Sequence, residues 1–210
     1  MPKGIEVLSL SDIGFEQEIE ETGTTLEENS ALKASTVAAF INDRLMNGDA
    51  ALNGVDGVFA DDTGLEIDAL GGKPGVYTAR WYRIEDAALQ VTGEREIFAA
   101  NRAKALRELE GKTDRGAQFR TVITLILLKN TDRCTDRTQS TDIQVEGVVR
   151  GRIAEEEYGN GGFGYDPVFI PEGYDKTFGE LPAEIKNGIS HRARALQALV
   201  KELKSERNKE

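Results

Sequence analysis

The sequence predicts an α/β fold made of a single domain over residues 1–210. Apolar residues recur at helical spacing in some segments, while others alternate or run apolar as strands do. Glycine-rich turns separate these segments, and no internal repeat or low-complexity linker divides the chain. A chain of 210 residues is long enough to bury one sizeable core.

The first third of the chain is predicted to contain a strand and a long helix. Residues 5–10 alternate weakly and indicate a short strand. Thr25 and Glu28 have the Ser/Thr-x-x-Glu spacing of a capping box, so a helix is expected to begin there and to reach about Leu45. Residues 46–57 are rich in Asn, Gly and Asp, which predicts a loop.

The rest of the chain is predicted to mix strands and helices. We expect two strands on either side of an acidic corner at residues 61–64, and then a helix over residues 92–110. Paired strands are predicted over residues 119–128 and 141–149, and a last helix is predicted to open at Ser190.

The composition narrows the class of function. A formal net charge of −11 surrounds the protein with a negative field, which disfavours nucleic-acid partners because these bind through many Lys and Arg contacts to phosphates. A single nucleotide with a divalent metal is a suitable ligand, since a few local cations suffice. The sequence has no apolar run of roughly 18 residues, no secretory signal and only one cysteine, Cys134, so we expect a cytoplasmic protein without membrane partners.

Asp61 and Asp62 are the first candidates for chemistry. Consecutive side chains of a strand point to opposite faces, so only one of the two carboxylates is expected to face a given cleft. A carboxylate near phosphates can hold Mg²⁺ or take a proton from an attacking water. The alternative is an Asp that caps a turn before Thr63 and Gly64.

Glu28 and Lys33 lie near the start of the first predicted helix. The capping-box spacing alone explains Glu28 as the partner of a backbone donor. The start of a helix also collects anions and negative charge, so the same carboxylate is a candidate for sharing a metal with a triphosphate. Both roles stay open.

Residues 161–167 combine three glycines with two aromatic residues, an Asp and a Pro. Glycine lets the backbone approach a ligand closely, an aromatic ring can stack on a purine, and Asp166 can accept a hydrogen bond from a base. The alternative is a glycine-rich hairpin turn with its aromatic residues in the core.

Lys186, His191 and Arg192 lie around the start of the last predicted helix. The helix dipole disfavours cations at this end by about a few tenths of a kcal/mol, so the positive charge requires a compensating partner. The three side chains can form a patch of donors directed at a purine carbonyl or a phosphate. The alternative is a solvated basic stretch beside Ser190 as a helix cap.

Other kinds of site have no pattern in the sequence. It contains no zinc-ligand spacing, no P-loop and no nucleophile elbow. Cys134 lies between Arg133 and Thr135 in a polar segment, and we interpret it as an ordinary exposed thiol.

Six short motifs occur together in one order, and this order resembles the inosine/xanthosine triphosphate pyrophosphatase family. The motifs are Glu28-Asn29-x-x-x-Lys33-Ala34, Ala60-Asp61-Asp62-Thr63-Gly64-Leu65, Gly72-x-Pro74-Gly75-Val76-Tyr77-Thr78-Ala79-Arg80, Glu146-Gly147, Gly162-Phe163-Gly164-Tyr165-Asp166-Pro167-x-Phe169 and Lys186-Asn187-x-x-Ser190-His191-Arg192-x-x-Ala195. The similarity runs from about Ile5 to Leu199, and the joint order and spacing are specific.

The resemblance implies a role for each matched residue. Asp62 would be the general base and a Mg²⁺ ligand, with Glu28 as a further metal ligand. Thr63 and Lys33 would contact the substrate. The nucleoside would be held by Phe163, Gly164, Tyr165 and Asp166. The purine and its 6-oxo group would be recognised by Lys186, His191 and Arg192.

The resemblance also implies an architecture and an activity. The family fold is an elongated mixed β-sheet with flanking helices and two lobes around a central cleft, and members are usually homodimers. The implied activity is Mg²⁺-dependent hydrolysis of ITP, dITP and XTP to the monophosphate and pyrophosphate. A related pyrophosphatase of pyrimidine or methylated nucleotides is a further alternative, although the purine-recognising motif around His191 opposes it.

One feature of the family has no counterpart in this sequence. Members open with an apolar strand and a Ser/Thr-x-Asn-x-x-Lys loop that wraps the phosphates, and no such motif occurs here. We therefore expect a chain that is truncated at its N-terminus relative to the family. The alternative function is a nucleotide-binding pseudoenzyme with impaired turnover.

Overall fold

The computed structural model describes residues 4–84, 91–128 and 141–207. Over these residues the chain forms four α-helices and five strands, which confirms the predicted α/β class. No helix in this described part is long and apolar enough to cross a membrane. Cys134, which we predicted to be an exposed thiol, lies outside the described residues.

The strands form one sheet in the order β2-β1-β3-β4-β5. The strand pairs at both edges are antiparallel, with Leu65 opposite Gly75 at one edge and Ile153 opposite Phe169 at the other. The strands are β1 (Gly57–Ile67), β2 (Pro74–Gly75), β3 (Gly116–Leu127), β4 (Thr141–Ile153) and β5 (Phe169–Pro171). The predicted strands at 119–128 and 141–149 are therefore confirmed as neighbours, and both are longer than expected.

The helices are α1 (Leu26–Met46), α2 (Glu94–Glu108), α3 (Ala183–Ile189) and α4 (His191–Arg207). The capping box is confirmed, because the Thr25 hydroxyl accepts a hydrogen bond from the Glu28 backbone while Glu28 accepts one from the Thr25 backbone. The predicted helix starting at Ser190 is also confirmed, with the Ser190 hydroxyl accepting from the Ala193 backbone at 3.2 Å. We did not predict α3, which has only seven residues.

The chain forms two compact units. The first comprises Met1–Asp62, Val122–Val145 and Leu196–Glu210, and the second comprises Thr63–Thr121 and Glu146–Ala195. Each unit has its own apolar core. The first core is built on α1 and includes Ile13, Phe15, Ala34, Val37, Ala38, Ile41, Val58 and Ile126; the second includes Leu65, Ile67, Trp81, Leu109, Phe119, Val149, Tyr165, Phe169 and Phe178.

The strand predicted for residues 5–10 is wrong. This segment is irregular and leads into a turn, in which the Ser9 backbone donates a hydrogen bond to the Asp12 carboxylate at 2.7 Å. Its apolar residues Val7, Leu8 and Leu10 are about half exposed. The weak alternation was a poorer guide than the turn-forming chemistry of Ser and Asp.

The acidic corner predicted at residues 61–64 is also wrong, because β1 continues through it without a turn. The strand lies between β2 and β3 in the sheet, so pairing favours extended backbone even at Gly64. The turn-capping alternative for the two Asp residues is therefore excluded. The predicted alternation of faces is confirmed, since Asp62 is buried and Asp61 is partly exposed.

Candidate active site

Asp62 is a buried carboxylate in β1 that two side chains of α1 hold. Only 8% of the residue is exposed. Lys33 donates from Nζ to Oδ1 at 2.8 Å, and Asn29 donates from Nδ2 to Oδ2 at 3.3 Å. Asn29 and Lys33 are four residues apart on α1 and so share one face of the helix. The helix therefore fixes both oxygens of the carboxylate.

Lys33 also joins Asp62 to a second carboxylate. Its Nζ lies 3.0 Å from Glu21 Oε1. Burial lowers the pKa of Lys33, but the hydrogen bonds and charges of Asp62 and Glu21 outweigh this effect, and the pKa is raised overall. Lys33 is therefore a permanent cation between two acids at neutral pH.

The surroundings of Asp62 suit a proton acceptor. Burial raises the pKa of the Asp62 carboxyl above its ordinary value, against the opposing hydrogen bonds and charge of Lys33. A carboxylate with a raised pKa is a stronger base, and its proton affinity is better matched to a reaction at neutral pH. The site thus combines an orienting cation with a more basic carboxylate.

Glu28 has the capping role that its spacing predicted. Its Oε2 accepts from the Thr24 backbone at 2.6 Å, the Thr24 hydroxyl at 2.9 Å and the Thr25 backbone at 3.2 Å. The bond from the Thr24 backbone, followed by that from its hydroxyl, lowers the pKa of Glu28, so the side chain is an anion at neutral pH. Ligation of a metal by Glu28 stays a prediction.

The carboxylates of Asp62 and Glu28 are of the chemical type that binds Mg²⁺, and their ligation of the ion stays a prediction. Among residues 4–84, 91–128 and 141–207, no group of three or more His, Cys, Asp or Glu side chains could hold a metal by itself. Mg²⁺ does not require such a cage, because it keeps several waters and is bound through one or two carboxylates plus substrate phosphates. Asp62 and Glu28 supply hard anionic oxygens of the required kind.

In the second unit, Asp166 organises the glycine-rich loop. It is 4% exposed, and its Oδ2 accepts from the Phe163 backbone at 2.7 Å and from Lys186 Nζ. Gly162 has a φ of 74°, and a Cβ there would lie 1.9 Å from Asp166 Oδ2. Glycine is therefore required at position 162 for the loop to close over the Asp166 carboxylate. The bond from Lys186 joins that carboxylate to α3.

Phe163 presents an open aromatic ring flanked by two cations. The residue is 55% exposed. Lys186 Nζ lies 4.7 Å from the ring centroid and Arg192 Cζ lies 5.7 Å from it. The structure thus brings together three residues that the sequence predicted for base recognition, and the arrangement suits a flat ligand with carbonyl oxygens.

His191 differs from the predicted cationic patch. It is 8% exposed and stacks on Phe119, with ring centroids 4.7 Å apart and an interplanar angle of 20°. Burial, aided by the charges of Arg192 and Lys186, lowers the pKa of His191 to about 3. The imidazole is therefore neutral at pH 7, which corrects our expectation of a cation. In the described structure its buried Nδ1 has no hydrogen-bond partner.

Three other predicted residues have internal contacts. Tyr165 is 3% exposed in the second core, and its hydroxyl donates to the Thr78 carbonyl at 3.2 Å, as the hairpin alternative would have it. The Gly164 carbonyl accepts from Arg102 Nη1 at 2.9 Å. The Thr63 hydroxyl lies 2.8 Å from that of Thr121. Direct contact of these residues with a substrate stays a prediction.

Sequence reasoning missed Asn29 and Arg102. Asn29 was within a matched motif, and its position four residues before Lys33 could have placed both on one helix face. Arg102 lies in the middle of α2, and nothing in the sequence separates it from the other surface-type charges of that helix.

Comparisons with known proteins show which proteins this chain resembles as a whole. The sequence is 44% identical over 206 residues to a "dITP/XTP pyrophosphatase" of Bacillus subtilis, covering 97% of this chain and 87% of that protein. A protein of the same name from Flavobacterium johnsoniae is 42% identical over 200 residues, with 95% and 86% covered.

Solved structures of other proteins are also similar to this chain. The Ham1 protein of Staphylococcus aureus superposes with a TM-score of 0.73 at 37% identity, covering 96% of this chain and 88% of that one. A "nucleoside-triphosphatase / dITP/XTP pyrophosphatase" of Mycobacterium abscessus has a TM-score of 0.67 at 34% identity, with 94% and 85% covered. The sequence profile of the Ham1 family matches residues 1–202. The chain therefore belongs to the Ham1 family.

Proposed function

We propose that this chain hydrolyses non-standard purine nucleoside triphosphates, namely dITP, ITP and XTP, to the monophosphate and pyrophosphate. The relatives at 42–44% identity that carry the name dITP/XTP pyrophosphatase support this proposal. The observation that carries it is the buried Asp62 carboxylate, which Lys33 orients and whose pKa burial raises.

Asp62 is proposed as the general base. It takes a proton from a water molecule, and the oxygen attacks the α-phosphorus in line with the bridging oxygen to the β-phosphorus. The bond to that bridging oxygen breaks, and pyrophosphate leaves. Lys33 keeps the carboxylate in place and opposes its loss of charge in the resting enzyme.

Mg²⁺ is proposed as the cofactor, held by Asp62 and Glu28. When bound, it neutralises charge on the triphosphate, which this acidic protein requires. Glu28 contributes a carboxylate that its cap keeps ionised, and Asp62 contributes one that α1 keeps oriented.

Residues of the second unit are proposed to bind a purine base. Phe163 offers a ring for stacking, while Lys186 and Arg192 supply donors to a 6-oxo group. Neutral His191 contributes hydrogen bonding through its unpartnered Nδ1 rather than charge. Adenine carries an amino group at the position of the 6-oxo oxygen, so these donors would have no acceptor. Each buried polar group left unpaired costs about 1–3 kcal/mol, which would disfavour adenine. Thr63, Gly164, Tyr165 and Asp166 are proposed to shape this site or to contact the nucleoside.

A product assay tests the proposal. The purified chain is incubated with Mg²⁺ and dITP, XTP, ITP, ATP, GTP, dCTP or a methylated nucleotide, and phosphate is measured with and without added inorganic pyrophosphatase. We expect phosphate from the first three substrates only when the coupling enzyme is present. Equal turnover of ATP, or orthophosphate as the direct product, refutes the proposal.

The same assay tests the alternatives. Preferred turnover of dCTP or the methylated nucleotide would establish the related pyrophosphatase instead. A chain that binds dITP without hydrolysing it would be the pseudoenzyme, an alternative that none of the observations above supports.

We further propose that the enzyme acts as a homodimer on the cytoplasmic nucleotide pool. The family resemblance supports the dimer, and the single cysteine suits a reducing compartment. Sedimentation equilibrium measures the mass of the assembly, and a mass of one chain at micromolar concentration would contradict the homodimer.

A further inference from the structure

We infer that Asn29 is a positioning residue that sets the orientation of the Asp62 carboxylate for the attack of water, an inference that rests on the proposed function of Asp62. Asn29 is fully buried, with 0% exposure. Its Nδ2 donates to Asp62 Oδ2 at 3.3 Å, on the oxygen that Lys33 does not contact.

The orientation of the Asn29 side-chain amide is fixed by a second hydrogen bond. Its Oδ1 accepts a hydrogen bond from the Gly23 backbone at 2.8 Å, so Nδ2 must face Asp62. A Cβ at residue 23 would lie 2.6 Å from this Oδ1 and 2.8 Å from Glu28 Cβ. Glycine at residue 23 thus allows the backbone N–H to approach, and that N–H fixes which end of the amide the carboxylate meets.

Asn29 and Lys33 play different parts in holding the carboxylate. A lysine ammonium has three rotatable donors on a flexible stem and attracts a carboxylate without fixing its plane. The amide of Asn29 is planar, buried and held at its other end, so it defines the rotation of the carboxylate about its last bond. Each oxygen accepts one of these bonds and keeps a further lone pair for the reaction.

The best test replaces the donor and keeps the acceptor. In Asn29→Asp, an oxygen still accepts from the Gly23 backbone while the donor to Asp62 is lost. We expect kcat for dITP to fall about 10- to 100-fold with KM within about twofold, because Asp62 loses its orienting donor and faces a second carboxylate instead. Circular dichroism and the melting temperature report folding.

Ser30→Ala is the matched control. Ser30 is the next residue of α1, is also fully buried, and bonds through its hydroxyl to Thr124 at 2.7 Å instead of to Asp62. We expect its kcat to stay within about twofold of the wild type. An equal fall in both variants would mean that any buried polar change in this part of the helix impairs the enzyme, and the inference would be wrong.

Gly23→Ala perturbs the Asn29 side-chain amide and leaves both Asn29 and Asp62 in place. This variant tests the inference if Asn29→Asp does not fold. We expect the same pattern, a lower kcat with a nearly constant KM. The inference is overturned if kcat is unchanged in the folded variants, or if only KM rises, since Asn29 would then serve ground-state binding. An inactive wild-type chain would refute the proposed function and this inference with it, whereas an active wild type with fully active variants refutes the inference alone.

Discussion

Neighbouring carboxylates in one strand have different surroundings. Asp62 is buried and contacts Asn29 and Lys33 of α1, while Asp61 is on the opposite face of β1 and partly exposed. Side-chain alternation alone limited the candidate base to one of the two, and the family resemblance pointed to Asp62. The structure shows that Lys33 and Asn29 hold Asp62.

This difference supplies a matched pair of variants. We expect Asp62→Asn to lower kcat by about 100- to 10,000-fold, the usual contribution of a general base. Asp61→Asn has the same change in charge and volume, and its kcat should remain within about threefold. Pyrophosphate release under saturating dITP is the measurement. Similar losses in the two variants would contradict a specific role for Asp62.

The pKa of His191 predicts how stability depends on pH. The imidazole protonates near pH 6.5 in the unfolded chain but only at about 3 in the folded one. Between these values the unfolded state binds more protons, so the free energy of unfolding decreases as the pH falls. At pH 5 the loss from this group is about 2 kcal/mol.

Urea unfolding of the wild type and His191→Gln at pH 7.5 and 5.0 checks this. The side chain of Gln does not titrate, so the variant should lose about 2 kcal/mol less on acidification than the wild type. Carboxylates titrate in both proteins and cancel in the comparison. Equal losses would show that His191 is already accessible to protons in the folded state.

At the scale of elements, β4 and α4 meet at a glycine. A Cβ on Gly147 would lie 2.2 Å from both the Ala195 nitrogen and the His191 carbonyl oxygen. These atoms are backbone and cannot rotate away, so the start of α4 would have to shift. The close approach places His191 and Arg192 where they contact Phe119 and Phe163.

Gly147→Ala is expected to lower the melting temperature by about 2–12 °C, since overpacking costs about 1–3 kcal/mol. It should also raise KM for dITP, because His191 and Arg192, which we propose to recognise the base, would move with the helix. Gly54→Ala is the control, as a Cβ there has nothing within 4 Å. Thermal denaturation measures the melting temperatures of both variants. An unchanged melting temperature for Gly147→Ala would contradict the close packing of β4 against α4.

The elements differ in how well the sequence predicted them. The strands β3 and β4 and the helix α1 were predictable, because a long apolar run and a capping box are local signals. The unbroken path of β1 through Gly64 depends on pairing with strands distant in the sequence, which no local pattern contains. The short helix α3 lies below the length at which periodicity can be recognised.

At the scale of the whole molecule, the net charge of −11 opposes the approach of a triphosphate. The local cations Lys33 and Lys186 are already paired with acids. We therefore expect the proposed divalent ion to supply most of the charge neutralisation that a polyanionic substrate requires.

Chelation tests this expectation. Excess EDTA should abolish pyrophosphate release, and Mg²⁺ added beyond the chelator should restore it. Circular dichroism in EDTA should remain unchanged, because both cores consist of apolar side chains, which do not ligate Mg²⁺. Undiminished hydrolysis in EDTA would contradict a metal-dependent reaction.

The candidate site was predictable as a set of residues and not as an arrangement. Motif order named Asp62, Lys33 and Glu28, but the bond between Lys33 and Asp62 joins positions 29 apart and depends on the tertiary structure. The burial that raises the pKa of Asp62 and lowers that of His191 likewise comes from packing, which the motifs do not encode.

Because Asn29 and Lys33 lie on one face of α1, we expect the proposed reaction to be sensitive to the register of this helix. Removing a single residue between Thr25 and Asn29 would rotate the following side chains by about 100° relative to the capped end. The amide and the ammonium would then leave the carboxylate together, although every chemical group was still present. Shortening the helix from its far end at Met46 would keep both in place, so this helix should tolerate changes in length at one end only.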